Sequence, residues 1–239
     1  MLKIVGLTKK YGEKCAVDNL NLEIGEGEIC AFIGHNGAGK TTTLKAAVGI
    51  LSFDSGHITI DGISVAEKPI SAKSSIAYIP DNPDLYEFLK GIAYLNFVGD
   101  VYGVEPGVRQ ERIKLLGDKL GLTKDLGQRI SEYSHGMKQK LAIIAAFLHS
   151  PKLIIMDEPF VGLDPKASFV LKEMMREHCN NGGSIFFSTH VLDVAEKLCD
   201  KVAIIKNGKL IREGSMEEVL GDDSLEEVFL ELEGEADND

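Results

Sequence analysis

The chain has 239 residues, enough for one large α/β domain or two small lobes, and its 44% hydrophobic and 26% charged residues are typical of a globular protein. The net charge of −11 argues against a sequence-independent nucleic-acid binder and against a polybasic lipid anchor, because both need a basic face. We find no apolar run as long as a membrane span and no signal peptide, so we expect no direct membrane insertion. Any role at a membrane is expected to act through a docked membrane protein.

The first third of the chain has the pattern of short strands. Alternating residues predict antiparallel strands at 2–5 and 19–24, with turns at 11–12 and 25–28. A buried strand is predicted at 28–33, a helix at 42–49, and two further strands at 56–60 and 75–79. This order of elements predicts an α/β core that begins with antiparallel strands.

The pattern becomes helical between residues 86 and 150. Apolar spacing predicts helices around 92–99, 112–120 and 136–148, and Gly121 closes the second. We therefore expect a helical subdomain at 86–150, inserted into a core formed by 1–85 and 151–225.

The α/β pattern returns after residue 150. It predicts buried strands at 153–156 and 184–188, helices at 165–179 and 191–198, and a hairpin of 202–205 with 209–211. A C-terminal helix is predicted at 226–232, and the acidic residues 234–239 are predicted to be frayed. The cysteines show no CxxC spacing, which favours free buried thiols in a reducing cytosol over a zinc site; they are Cys15, Cys30, Cys179 and Cys199.

A glycine-rich segment after the strand at 28–33 fits the P-loop pattern, with glycines on both sides of a four-residue gap and then Lys and Thr. Glycines let backbone N–H groups surround phosphate oxygens, and the following helix N-terminus adds partial positive charge. Lys40 is predicted to reach the β- and γ-phosphates, and Thr41 to ligate Mg²⁺. The alternative is a chance glycine turn before a helix. The predicted nucleotide-binding residues are Gly34, His35, Asn36, Gly37, Ala38, Gly39, Lys40, Thr41 and Thr42.

Two consecutive acids, Asp157 and Glu158, end the apolar strand at 153–156. A carboxylate at such a strand end is the usual partner of a P-loop, so Asp157 is predicted to hold Mg²⁺. Glu158 is placed to orient or deprotonate a water that attacks the γ-phosphate. The alternative is a pair of strand-end acids that face solvent.

Three later runs extend this pattern: Asp157-Glu158-Pro159, Gly162-Leu163-Asp164-Pro165 and Ser188-Thr189-His190. With the P-loop, they make the chain resemble the ATP-binding subunit of an ABC transporter. The resemblance implies an α/β fold, with a P-loop NTPase (RecA-like) core, a mixed sheet that has an antiparallel N-terminal part, and an inserted α-helical subdomain.

The resemblance also implies roles for single residues. Glu158 matches the catalytic glutamate, His190 the histidine that contacts the γ-phosphate, and Tyr11 the aromatic residue that stacks on adenine. Taken alone, Tyr11 and His190 would be a turn tyrosine and a strand-end histidine. The matching D-loop residues are Gly162, Leu163 and Asp164.

Two motifs depart from the family pattern. The family's signature motif, usually Leu-Ser-Gly-Gly-Gln, falls at residues 133–137. Ser134 and Gly136 are retained, whereas His135 replaces a glycine and Met137 a glutamine. Ser134 can still cap a helix that starts near Gly136 and faces the nucleotide of a partner subunit, but His135 adds bulk and a protonatable group. Asp81 takes the place of the Q-loop glutamine, where it could bind Mg²⁺, repel the γ-phosphate, or belong to an ordinary Pro-rich turn.

The resemblance is sharpest to the ABC-2 type group, and the chain is similar to Ecs-type and bacitracin-export-type ATP-binding proteins. It implies an ATPase that uses ATP and Mg²⁺, forms an ATP-bound dimer with a second ATP-binding subunit, and works with a separate membrane permease, often in export. It also implies a cytoplasmic location, peripheral at the membrane, with no nucleic acid as partner. The alternatives kept open are a non-transport ABC ATPase and a regulatory module that binds ATP with little turnover. A GTPase is disfavoured because the Asn-Lys-x-Asp guanine motif is absent.

Overall fold

The computed structural model of the chain describes residues 1–235, with side chains at all of them except 233 and 235. Most of the predicted frayed end, residues 236–239, lies outside the described residues. The strands are β1 (Leu2–Tyr11), β2 (Lys14–Ile24), β3 (Ile29–Ile33), β4 (Ser55–Ile60), β5 (Ile63–Ser64), β6 (Ile76–Ile79), β7 (Leu153–Asp157), β8 (Ser184–Thr189), β9 (Lys201–Lys206) and β10 (Lys209–Ser215).

The helices lie between and after these strands. Two short 3-10 helices, Thr123–Asp125 and Ile130–Glu132, connect the second and third helices of the predicted insertion. The α-helices are α1 (Lys40–Ala47), α2 (Pro69–Lys73), α3 (Gly91–Val101), α4 (Pro106–Leu120), α5 (His135–Leu148), α6 (Pro165–Asn180), α7 (Leu192–Leu198), α8 (Met216–Leu220) and α9 (Leu225–Glu235).

Within residues 1–235 the strands form two sheets. The larger has the order β10-β9-β3-β8-β7-β6, in which the neighbours from β9 to β6 are parallel and β10 is antiparallel to β9. The smaller has the order β2-β1-β4-β5 and is antiparallel throughout. The expected antiparallel N-terminal part is therefore a sheet of its own beside the parallel one.

The central strands of the larger sheet are buried on both faces, as their unbroken apolar sequences predict. Successive residues of these strands face opposite sides of the sheet and pack into two different cores. Ala31 and Met156 pack with the helices α3 to α7, whereas Phe32 and Ile155 pack with α1 and the smaller sheet. This sheet is therefore the middle layer of the molecule.

The three helices predicted for the insertion are present as α3, α4 and α5. Ser134 caps the start of α5, because its Oγ accepts a hydrogen bond from the Met137 N–H at 3.3 Å. Gly121 ends α4 in the left-handed conformation, with φ of 68°. Both boundaries confirm the sequence-based capping predictions.

Other boundaries differ from the predictions. Strand β1 runs to Tyr11, where a turn was predicted to begin, because pairing with β2 continues to Lys14 across a tight turn. The short elements β5, α2 and α8 were not predicted, since their two to five residues are too few to show a period. Cys30, Cys179 and Cys199 are buried free thiols as expected, but Cys15 is only half-buried. None of the described helices is long and apolar enough to cross a membrane.

Candidate functional site

The parallel strand order brings several predicted residues to one edge of the larger sheet. The P-loop follows β3, Asp81 follows β6, Asp157 and Glu158 lie at the end of β7, and His190 follows β8. Carboxyl ends of parallel strands share an edge, which is the usual place for a ligand in such sheets.

The P-loop joins β3 to α1 and is enclosed by neighbouring strands. A Cβ at Gly34 would lie 2.3 Å from the Ile205 carbonyl oxygen, and one at Gly39 would lie 2.5 Å from the Ala16 carbonyl oxygen. Gly39 also has φ of 114°, which side chains other than glycine rarely adopt. These glycines are therefore required by backbone packing, and the loop ends where α1 begins at Lys40.

Lys40 is a buried cation in this loop. Its Nζ donates to the Gly34 carbonyl oxygen at 2.5 Å and lies 4.0 Å from Glu158 Oε1. Burial lowers the pKa of Lys40, and the Glu158 and Asp157 carboxylates oppose that shift. The ammonium group therefore lies within the P-loop and beside one of the two acids.

Thr41 and Asp157 meet across the site. Thr41 Oγ1 donates a hydrogen bond of 2.6 Å to Asp157 Oδ2. A hydroxyl and a carboxylate are hard oxygen donors, and Mg²⁺ is commonly held by one or two such groups together with phosphates and water. The pair therefore fits the predicted Mg²⁺ site.

Glu158 and His190 form the other polar pair. His190 Nδ1 and Glu158 Oε2 are 3.0 Å apart, and Glu158 is 14% exposed whereas His190 is 57% exposed. The backbone of Glu158 has φ of 48°, an uncommon value for a residue with a side chain. The carboxylate therefore lies between the Lys40 ammonium group and an exposed imidazole.

A cavity of about 320 Å³ is lined by the P-loop and by both acids, whereas His190 does not line it and contacts Glu158 instead. Tyr11 is half exposed and lies at the cavity, as does Asp81. The lining residues are Tyr11, Lys14, Ala16, His35, Asn36, Gly37, Gly39, Lys40, Thr41, Thr42, Asp81, Asp157 and Glu158.

Two lining residues, Lys14 and Ala16, were missed in the sequence analysis. They follow the turn after Tyr11 and alternate along β2, so the hairpin register could have indicated them. Ser188 was also missed as a site residue. It is fully buried and hydrogen-bonds to both Asp157 and Glu158, contacts that depend on strand pairing.

The signature and D-loop residues do not line this cavity; they pack against each other. A Cβ at Gly162 would lie 2.4 Å from His135 Cδ2, and one at Gly136 would lie 2.7 Å from the Gly162 carbonyl oxygen. Asp164 accepts hydrogen bonds from Lys140 Nζ at 2.7 Å and from the Ala167 N–H at 2.8 Å, and both hold its pKa below the ordinary value. Within residues 1–235 of one chain, the signature therefore contacts the D-loop and does not line the cavity formed by the P-loop.

Comparison with known proteins agrees with these features. A family model described as "ABC transporter" matches residues 17–161. The ABC-type transporter ATP-binding protein EcsA of Bacillus subtilis is 35% identical, over 97% of this chain and 96% of its own length. The linearmycin resistance ATP-binding protein LnrL of the same organism is 33% identical, over 94% of this chain and 73% of its own length.

A solved structure shows the same fold. The ATP-binding subunit of an ABC transporter superposes with a TM-score of 0.94 at 35% identity, covering 97% of this chain and 99% of the other. The family match covers the P-loop, Asp157 and Glu158. The chain therefore belongs to the ABC transporter family, as an ATP-binding subunit and ATPase of a transporter.

Proposed function

We propose that this chain hydrolyses ATP at the cavity bounded by the P-loop, Asp157 and Glu158, and that this hydrolysis powers a membrane exporter. One observation carries the proposal. A buried ammonium group, a hydroxyl–carboxylate pair and a further carboxylate line one cavity, and an imidazole contacts that last carboxylate: Lys40, Thr41 with Asp157, and Glu158 with His190.

In this proposal the P-loop N–H groups and Lys40 bind the phosphates, and the exposed ring of Tyr11 stacks on the base. Thr41 and Asp157 would hold Mg²⁺, with Asp81 as a further contact, and the ion would supply positive charge that offsets the charge of the phosphates. Glu158 accepts the proton of the attacking water, and His190 contacts the γ-phosphate. The side chains of Glu158 and His190 are 3.0 Å apart, so the imidazole contacts the carboxylate proposed as the base.

We further propose that two subunits complete each site. The residues Ser134, His135, Gly136 and Met137 lie outside their own chain's cavity, but Ser134 presents a capped helix N-terminus that could bind phosphate. Pairing in a head-to-tail dimer would place this signature, with the D-loop residues Gly162, Leu163 and Asp164, against the nucleotide of the partner subunit.

A separate permease is the proposed membrane partner, which would hold this chain at the cytoplasmic side of the membrane. Residues 81–86 connect the nucleotide cavity to the exposed aromatic residues Tyr86, Phe88 and Phe97. A surface of this kind suits a protein partner. Export is supported by the relative LnrL, whose name records resistance to linearmycin, because export of a toxic compound would give resistance.

The variant Glu158→Gln tests the catalytic proposal. We expect kcat for ATP hydrolysis to fall by about 10²–10⁴-fold, the usual contribution of a general base, whereas the Kd for ATP stays close to the wild-type value. Glu67→Gln is the matched control, because Glu67 is exposed and does not line the cavity. Wild-type turnover in Glu158→Gln would show that Glu158 is not the base.

A further inference from the structure

Ser188 contacts both acids of the site but does not line the cavity. It is fully buried near the end of β8, where it pairs with Asp157 of β7 on one side and with Phe32 of β3 on the other. Strand β3 continues into the P-loop. Ser188 therefore lies between the strand that leads into the P-loop and the strand that ends in the acids.

The hydroxyl of Ser188 is shared between the two acids. Ser188 Oγ donates to Asp157 Oδ1 at 2.5 Å and accepts from the Glu158 N–H at 3.1 Å. Because Thr41 occupies Asp157 Oδ2, both oxygens of that carboxylate have a fixed partner. The carboxylate is buried, so each of these hydrogen bonds contributes to its orientation.

The Glu158 backbone depends on the same serine. The Glu158 N–H also donates to the Ser188 carbonyl oxygen at 3.2 Å, so one residue accepts from it twice. Glu158 has φ of 48°, and a left-handed conformation persists only where the surroundings hold it. From this backbone position the side chain reaches His190 at 3.0 Å.

We propose that Ser188 is a positioning residue for ATP hydrolysis, because its single hydroxyl fixes the Asp157 carboxylate and the left-handed backbone of Glu158 together. The inference rests on the proposed role of Glu158 as the base. Ser188 itself takes no proton from water and contacts no phosphate; it acts through the two acids.

The variant Ser188→Ala, compared with Ser184→Ala, tests the proposal. Ser184 is the matched control because it is also fully buried on β8, and its Oγ donates one hydrogen bond of 2.7 Å, to the Gly25 carbonyl oxygen far from the site. We expect Ser188→Ala to lower kcat by about 10- to 100-fold, the usual effect of removing an outer hydrogen-bond partner. The Kd for a fluorescent ATP analogue should change by less than about threefold, since the phosphate-binding groups remain.

Thermal unfolding separates positioning from folding. Each variant removes one buried hydroxyl, so both should lower Tm, but only Ser188→Ala should lose turnover. Equal kcat in the two variants would overturn the proposal. A parallel loss of kcat and of nucleotide binding in Ser188→Ala would also overturn it, because that result indicates a distorted pocket.

The double variant Ser188→Ala/Glu158→Gln shows whether the serine acts through Glu158. The effects of residues that act as a unit are not additive. We therefore expect that adding Ser188→Ala to Glu158→Gln lowers the residual rate by less than about threefold. An undiminished effect of Ser188→Ala in the Glu158→Gln background would contradict the proposed joint action on the two acids, because it would show that the serine acts without Glu158. If Glu158→Gln alone keeps wild-type turnover, the proposed role of Glu158 as the base fails instead, which separates the two hypotheses.

Discussion

At the scale of single residues, the polar side chains of the site are fixed by partners within the chain. Asp157 accepts from Thr41 and Ser188, and Glu158 is held near His190. Groups held in this way need little rearrangement during a reaction, which is the main source of electrostatic catalysis. The exception is Asp81, which is exposed and has no side-chain partner assigned to it among the described residues, although it lines the same cavity.

The variant Asp81→Gln tests whether this carboxylate contributes to Mg²⁺ binding. We expect the Mg²⁺ concentration for half-maximal ATPase activity to rise about 30-fold, because the attraction between one carboxylate charge and a divalent ion at ~4 Å in water is on the order of 2 kcal/mol. The assay is an Mg²⁺ titration at fixed ATP. Asp84→Asn is the control, since Asp84 lies in the same loop but lines a different cavity. An unchanged Mg²⁺ requirement would identify Asp81 as a turn residue.

At this scale the sequence predicted residue types better than contacts. Lys40, Thr41, Asp157 and Glu158 were predicted as site residues because a motif fixes their order and spacing along the chain. Ser188 was not, because its two hydrogen bonds follow from the register between β7 and β8. No local pattern records which residues face each other across parallel strands that are distant in sequence.

At the scale of elements, the first turns of α5 are joined to the segment between β7 and α6. Gln139 Nε2 donates to the Pro159 carbonyl oxygen at 3.2 Å, and Lys140 forms an ion pair with Asp164 at 2.7 Å. His135 lies against Gly162. Because Glu158 begins this segment, we expect a displacement of the signature helix to affect Glu158 of the same chain.

The variant Gly136→Ala tests this contact. Its new Cβ would lie 2.7 Å from the Gly162 carbonyl oxygen, so the two segments must separate. We expect kcat to fall by about tenfold, a loss of about 1.4 kcal/mol in transition-state stabilisation, whereas ATP binding by the single chain is retained. Steady-state ATPase assays and ATP titrations measure the two effects.

Gly127→Ala is the control for that substitution, since a Cβ there has nothing within 4 Å and the glycine has no positive φ. Wild-type turnover in Gly136→Ala would show that this contact is not needed for hydrolysis. Equal losses in the two variants would point to a general effect on the helical region.

At the scale of the whole molecule, one chain carries two separate halves of the proposed site. The cavity is formed by the P-loop and the acids, and the signature lies elsewhere, fixed to the D-loop. Closure in a head-to-tail dimer would bring each signature to the other chain's nucleotide. If ATP holds the two chains together in this way, a variant that hydrolyses ATP slowly should accumulate the ATP-bound dimer.

We expect the Glu158→Gln variant to form a dimer when ATP and Mg²⁺ are present. Light scattering after size-exclusion chromatography should give twice the 26.0 kDa mass of the chain with ATP, and the single mass without nucleotide. Adding Lys40→Ala should abolish the dimer. Lys40 is the buried cation of the P-loop, so its loss should prevent the ATP binding on which the dimer depends. A single mass at saturating ATP would contradict the proposed two-subunit site.

The sequence alone determined the elements with a strong local signal and the order of the chemical groups. Apolar runs specified β3, β7 and β8, and caps specified the ends of α4 and α5, because these signals depend on neighbouring residues. Only the tertiary structure decided that the antiparallel strands form a second sheet, that Ser188 hydrogen-bonds to both acids, and that the signature packs against the D-loop. Those features depend on pairing and packing between residues far apart in the chain, which no local pattern records.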